Sequence, residues 1–261
     1  MDSSLRKIGP ADLPALQLVT GDAERVEVEP VCPRCDGLGF FKKKVAYTHP
    51  DFCRLFPCEC RQAEEERKRR AELLRLSNLD AFQDKTFKSF DPFVPGVSAA
   101  CQKARAFALD PDGFLPLFGG YGCGKTHMLA AIGNELVGKR GVYFATCPDM
   151  LDQLRGTFDK TSSTSYSDLF EMIQRVDVLL LDDFTTENAT AFAQEKLFQL
   201  FNHRYNYRLP TAITCNTRVD DPLFAQGGAY GRLMSRLRDR AVSKHGIVLI
   251  EAADYRTREG T

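Results

Sequence analysis

Two groups of residues in this 261-residue sequence have the types and spacing to do chemistry. The first is the run Gly119-Gly120-Tyr121-Gly122-Cys123-Gly124-Lys125-Thr126, which satisfies G-x-x-x-x-G-K-[ST] at every fixed position. Glycines take positive φ without a Cβ in the way, so successive N–H groups can converge on one anion. A helix starting just after them adds unpaired N–H groups and the positive end of its dipole. Lys125 then supplies a cation for the outer phosphate oxygens, and the Thr126 hydroxyl supplies a ligand for Mg²⁺. His127 follows directly and joins the nucleotide-contacting set. The chemistry is that of a site for ATP and Mg²⁺.

The second group is Cys32-Pro33-Arg34-Cys35 and, 22 residues further on, Cys58-Glu59-Cys60. Two close cysteine pairs can offer four thiolates to a tetrahedral Zn²⁺. Gly37 and Gly39 follow the first pair and let backbone N–H groups turn toward sulfur. His49 and Cys53 lie between the pairs as alternative ligands in place of Cys58 or Cys60. The total of nine cysteines is odd, which argues against a disulfide framework. The scattered Cys101, Cys123, Cys147 and Cys215 read as small buried apolar residues. The cysteine-bearing segment has little core of its own. Metal binding, worth ~10–16 kcal/mol in zinc-finger peptides, is expected to fold it.

These residues need elements to hold them. GFLPLFGG reads as a strand entering the glycine loop, and KTHMLAAIGNELVGKR as the helix leaving it, with Met128, Leu129, Ile132 and Leu136 at helical spacing. GVYFAT, VDVLLLDDF, TAITCNT and GIVLIEA read as four more strands, with ATAFAQEKLFQLFNHRYNYR and GRLMSRLRDRA as helices between them. Alternating strands and helices predict an α/β fold, a five-stranded parallel sheet with right-handed crossovers and flanking helices. In such sheets ligands sit at the carboxyl ends of the strands. Asp182 and Asp183 end the third strand there. Asp182 is the natural partner for Mg²⁺. Asp183 stands where many such ATPases carry a glutamate that orients the attacking water, and is one methylene shorter. Asn216 ends the fourth strand, where a carboxamide can bond the γ-phosphate or that water. Arg232, Arg236, Arg238 and Arg240 lie within one short helix. One of them is a candidate for a finger into a neighbouring subunit's site, a role worth roughly 10³–10⁵ in rate.

The composition, 43% apolar and 27% charged, is that of a soluble globular chain. With 35 basic and 35 acidic residues, any contact with nucleic acid must come from a local basic face. Neither a signal peptide nor a run long enough to span a membrane is visible, which predicts a cytoplasmic protein. The expected organisation is an N-terminal region over 1–76 with the four-cysteine zinc site and a helix over 61–76, a linker over 77–98, and an ATPase domain over 99–261. The polar tract 161–167 reads as a loop, and Asp152 to Ser167, with Arg155 and Lys160, as part of a DNA-facing loop.

Taken in order, GGYGCGKTHM, LLLDDF, FNHRYNYRLPTAITCNT, RLMSRLRD and ADYRTR resemble the AAA+ ATPases of the DnaC/DnaI helicase-loader family, and also the transposition helper IstB and, more distantly, DnaA. The resemblance runs from about Thr86 to Arg258. It implies that Lys125 and Thr126 are Walker A residues, Asp182 and Asp183 Walker B, and Asn216 sensor 1. It further implies that Arg236 is the finger supplied in trans, that Arg256 is sensor 2, and that Thr86, Phe87 and Phe90 lead into the nucleotide pocket. So few residues follow the last strand that little or no C-terminal lid is expected. A helicase loader would take as partners the replicative DNA helicase, single-stranded DNA and, through the shared ATP site, further copies of itself. The alternatives are an IstB-like transposition helper and a nucleotide-switched adaptor with negligible hydrolysis.

Overall fold

The structure is a computed structural model that describes residues 32–158, 165–184, 190–225 and 229–257. The region before the first cysteine pair, together with Lys160 and Arg258, lies outside these residues. The chain divides between Gln62 and Ala63 into two compact units. In the first, β1 (Phe40–Lys42) and β2 (Leu55–Pro57) form an antiparallel pair with Phe41 opposite Phe56. Helix α1 (Glu59–Leu76) begins there and continues into the second unit.

The second unit holds a sheet of five parallel strands in the order β4-β5-β6-β3-β7. These are β3 (Phe114–Gly119), β4 (Val142–Thr146), β5 (Val178–Asp182), β6 (Thr211–Cys215) and β7 (Val248–Ile250). They are the five apolar runs read from the sequence. Side chains alternate across a strand, so each run feeds two cores. Phe114, Tyr143, Leu179, Leu181 and Ile213 pack on one face. That face is covered by α4 (Cys147–Gly156), α5 (Tyr166–Arg175), α6 (Ala191–Asn206) and α8 (Ala229–Arg238). The short helix α7 (Pro222–Ala225) adds Phe224 to it. Leu115, Leu117, Phe144, Leu180, Ala212 and Ile250 pack on the other face, under α2 (Ser98–Leu109) and α3 (Lys125–Leu136). No helix among the described residues is long and apolar enough to cross a membrane.

Two local outcomes differ from the expectation. Part of the segment read as a DNA-facing loop is helical: α4 extends to Gly156 and α5 starts at Tyr166. Both helices are capped by a hydroxyl accepting from the amide three residues on, Thr146 from Asp149 and Ser165 from Asp168. Both bury a short apolar stripe, Met150, Leu151 and Leu154 in α4, and Leu169, Phe170 and Ile173 in α5. Residues 77–98 are bound tightly to the sheet and α3. Ser77 Oγ donates to the Phe144 carbonyl and accepts from the Phe144 amide, each at 3.0 Å. Asn134 donates to the carbonyls of Phe82 and Lys85 at 2.9 and 2.8 Å. This segment becomes a wall of the cavity described below.

The turn from α6 into β6 is held by a buried cation. Arg204 is fully buried, yet its guanidinium donates to Thr211 Oγ1 at 2.7 Å and to the carbonyls of Pro210, Val176 and Gln174 at 2.6, 2.9 and 3.0 Å. Burial lowers its pKa to about 9, so it stays protonated at neutral pH. Gln174 and Val176 lie at the end of α5 and Pro210 directly before β6, so one side chain fixes where β5 and β6 begin. Arg204→Met keeps the stem but removes every donor, taking from the Gln174 and Val176 carbonyls and Thr211 Oγ1 a partner worth roughly 1–3 kcal/mol each. The expected result is a loss of at least about 3 kcal/mol. Thermal melting measures it, and a change under about 1 kcal/mol would contradict the account.

Candidate functional site

The glycine loop joins β3 to α3 across the carboxyl edge of the sheet. Gly122 and Gly124 have φ of +68° and +94°, in the left-handed region that glycine tolerates. Neighbours enforce the choice as well: a Cβ on Gly124 would lie 2.9 Å from the Phe90 ring, and one on Gly122 would run into the Asp254 carboxylate. Lys125 is only 6% exposed. Its Nζ donates to the carbonyls of Gly119 and Gly120 at 2.9 and 2.5 Å and lies 3.6 Å from Cys123 Sγ. The ammonium therefore sits inside the curve of the loop.

Strand order places the acidic residues beside this loop. β6 lies between β5 and β3, so the ends of all three meet around the start of α3. Thr126 Oγ1 donates to Asp182 Oδ2 at 2.8 Å. Thr214, one residue before the end of β6, donates to Asp182 Oδ1 at 2.5 Å and accepts from the Asp183 amide at 2.9 Å. Asp183 has a φ of +52°, and its carboxylate accepts from Asn216 Nδ2 at 2.6 Å. Lys125, Thr126, Asp182, Asp183 and Asn216 all line one cavity of about 660 Å³.

An apolar wall of that cavity is formed by Phe82, Phe90, Val94, Val97 and Ala252. His127 links this wall to α3: its Nε2 meets the Thr86 carbonyl at 2.9 Å, and its ring meets Phe90 edge-on at 5.1 Å. Arg256 also lines the cavity, from a short 3₁₀ turn, Tyr255–Thr257. The Tyr255 amide donates to the Gly122 carbonyl at 3.1 Å and fastens this segment to the loop.

Arg236 is not among the cavity's residues. It lies on α8 against α6, where it donates to Asn202 Oδ1 at 2.6 Å and to the Arg232 carbonyl at 3.1 Å. Its guanidinium sits 5.1 and 5.4 Å from the rings of Phe198 and Tyr205. The sequence assigned it to a shared site, and the structure holds it away from the chain's own. Thr214 is the residue sequence reasoning missed. Its only signal was a hydroxyl in a strand otherwise read as core.

In the first unit the sulfurs of Cys32, Cys35, Cys58 and Cys60 all lie within 4.8 Å of one another. Cys32 and Cys58 are 3.8 Å apart, and Cys35 and Cys60 3.4 Å. Four thiolates at ~2.3 Å from a tetrahedral ion would have edges of about 3.8 Å, so the donor set fits Zn²⁺. The backbone prepares it. Asp36, Gly37 and Gly39 have positive φ, the Gly39 amide donates to Cys35 Sγ at 3.3 Å, and the Gly39 carbonyl accepts from the Cys58 amide at 2.8 Å. The backbone N–H of Arg34 lowers the Cys32 pKa to about 7, while hydrogen bonding with Cys35 raises that of Cys60 to about 12. Cys53 is exposed and His49 Nδ1 accepts from the Asp51 amide; neither belongs to this cluster.

Known proteins resemble this chain in sequence and fold. The family described as IstB-like ATP binding protein matches residues 55–261. The replicative helicase loader DnaC of Escherichia coli K12 is 28% identical over 187 residues, covering 68% of this chain and 75% of that protein. The chromosomal replication initiator DnaA of Neisseria gonorrhoeae is 28% identical over 160 residues, covering 59% of this chain and 30% of that protein. Domain III of the Thermotoga maritima replication initiation protein DnaA superposes with a TM-score of 0.52 at 27% identity, covering 64% of this chain and 67% of that one. The crystal structure of the DnaC helicase loader gives 0.55 at 19% identity, over 66% and 99% of the two chains, a likeness of fold. A family match over more than half the sequence, on a sheet and loop of this form, makes the chain a member of the IstB-like ATP-binding proteins, with the AAA+ P-loop fold.

Proposed function

We propose that this protein is an ATP-dependent helicase loader acting in DNA replication. The observation that carries the nucleotide part is the hydrogen-bonded set of Thr126, Asp182, Asp183 and Asn216 around one cavity with the glycine loop. The likeness to a replicative helicase loader over 187 residues supports the rest.

In this reading the amides of Gly119 to Thr126 hold the phosphates, and Lys125 turns from the loop carbonyls to the outer phosphate oxygens. The Thr126 hydroxyl and the Asp182 carboxylate offer adjacent hard oxygen donors, the type Mg²⁺ prefers. When bound, Mg²⁺ neutralises charge on the β- and γ-phosphates. Asp183 and Asn216 orient a water, and Arg256 faces the phosphates from the C-terminal segment. Phe90, Val94 and Ala252 bury the base. Arg236, held on the α6–α8 face, serves the site of a second copy. Hydrolysis then depends on self-association, and a lone subunit binds ATP but turns it over slowly.

The cysteine cluster holds one Zn²⁺ and gives the first unit a fixed surface for the replicative helicase. The test is co-purification of the full chain with its hexameric helicase. With ATP the helicase is retained, and without nucleotide retention falls. Cys35→Ser is expected to lose the zinc and the helicase together while ATP binding persists. No retention in any nucleotide state would overturn the loader reading. Retention of a transposase instead would favour the second reading, an IstB-like transposition helper, which the family match supports.

Single-stranded DNA is assigned to the junction of α4, α5 and α6. Phe158 is 60% exposed and stacks on Tyr166 at 5.1 Å and 17°, and Tyr166 stacks on Phe170 at 5.7 Å and 15°. Lys196 lies 5.6 to 5.9 Å from Tyr166, Phe170 and Phe192, and Arg155 5.5 Å from Phe192. Such ladders with cationic rims suit bases and phosphates together. Phe158→Ala should weaken binding of a labelled oligo-dT by roughly 5- to 100-fold, the value of one lost base stack. ATP affinity should stay unchanged, and unaltered DNA binding in an anisotropy titration would sink this assignment.

A further inference from the structure

Thr214 lies on β6, has 1% of its surface exposed, and was given no role of its own by the strand segment TAITCNT that contains it. Its hydroxyl is nevertheless at the centre of the site. It donates to Asp182 Oδ1 at 2.5 Å and accepts from the Asp183 amide at 2.9 Å. The polarity of both bonds is fixed. A carboxylate only accepts, an amide N–H only donates, and a threonine hydroxyl has one proton to give. That proton must therefore go to Asp182.

The other oxygen of Asp182 accepts from Thr126, so the carboxylate is gripped from both sides by hydroxyls of different elements. Asp183 has a non-glycine φ of +52°, a conformation that costs energy unless its surroundings impose it. Two hydrogen bonds impose it: the amide bond to Thr214 and the carboxylate bond from Asn216. A continuous hydrogen-bonded path runs Thr126, Asp182, Thr214, Asp183, Asn216. It links the first turn of α3 to the ends of β5 and β6, and Thr214 is the only member that touches both aspartates.

We propose that Thr214 is a positioning residue of the nucleotide site, whose single hydroxyl sets the Asp182 carboxylate toward Mg²⁺ and the backbone of Asp183 toward the water. The proposal rests on the ATP and Mg²⁺ reading of the cavity. A residue that merely fills the core would tolerate valine, which has the same branched shape. A positioning residue would not, because valine leaves Asp182 Oδ1 and the Asp183 amide without their buried partner.

The experiment titrates Mg²⁺ against a fluorescent ATP analogue bound to the full chain, for the wild type, Thr214→Val and Thr214→Ser. Partners that orient a metal ligand typically carry 10–100-fold in metal affinity, so T214V should raise the Mg²⁺ midpoint by ~10–100-fold. T214S, which retains the hydroxyl, should stay within about threefold of wild type, and Mg²⁺-free nucleotide affinity should change by no more than about twofold in both. If T214V fails to melt cooperatively, Thr214→Cys supplies the contrast with T214S, since it has serine's shape but a weak donor. A wild-type Mg²⁺ midpoint in T214V or T214C would overturn the proposal. So would a loss in T214V that is equal with and without Mg²⁺. A wild-type chain that binds the analogue no better with Mg²⁺ than without it would instead overturn the reading of the cavity itself, and the proposal with it.

Discussion

The Asp182 carboxylate is the constraint around which the second unit is arranged. It ends a strand whose residues are buried on both faces, and it is itself only 6% exposed. A buried carboxylate is tolerated only when its oxygens are hydrogen-bonded. Here one oxygen takes the Thr126 hydroxyl at the start of α3 and the other takes the Thr214 hydroxyl on β6. That demand fixes three elements relative to one another: the glycine loop with its helix, β5, and β6. The strand order β5-β6-β3 allows it, because it sets β6 between the acidic strand and the loop strand.

The two cores act on this constraint from opposite sides of the sheet. On one side α3 presses on Leu180 and Ala212, and residues 77–98 close over it, which brings Phe90 against Gly124 and His127 onto Thr86. On the other side Arg204 pins the entrances of β5 and β6 through the carbonyls of Val176, at the end of α5, and Pro210, directly before β6. The strands can then deliver Asp182, Asp183, Thr214 and Asn216 in register at their far ends. The cysteine cluster in the first unit answers a separate need. The described residues of that unit form two three-residue strands, and they take their order from four sulfurs and the turns that present them.

Much of this was legible in the sequence because it is written in local chemistry. The glycine loop, the double aspartate and Asn216 each sit at the end of an apolar run, and the runs are continuous because parallel strands are buried on both faces. The cysteine pairs were legible from spacing alone. What escaped is what depends on packing between distant segments. Thr214 looked like a strand residue, and its partners Asp182 and Asp183 lie 32 and 31 positions away in the chain. Arg204 falls in a run read simply as a helix and is the largest fully buried side chain among the described residues. Helices α4 and α5 were hidden by their length: each buries one short apolar stripe, and Thr146 and Ser165 cap their starts. The packing of Arg236 against α6 follows from the α6–α8 contact, which no motif spacing encodes.

The central claim is that the cavity between the glycine loop and the strand ends is an ATP and Mg²⁺ site. Its most direct test is equilibrium binding of ATP with Mg²⁺ to the full chain and to Lys125→Ala, by calorimetry. The account predicts saturable binding of one ATP to the wild type and at least about a tenfold loss in the variant, since a buried charge-assisted phosphate contact is worth roughly 1.5–3 kcal/mol. Equal affinity in the two proteins would contradict it.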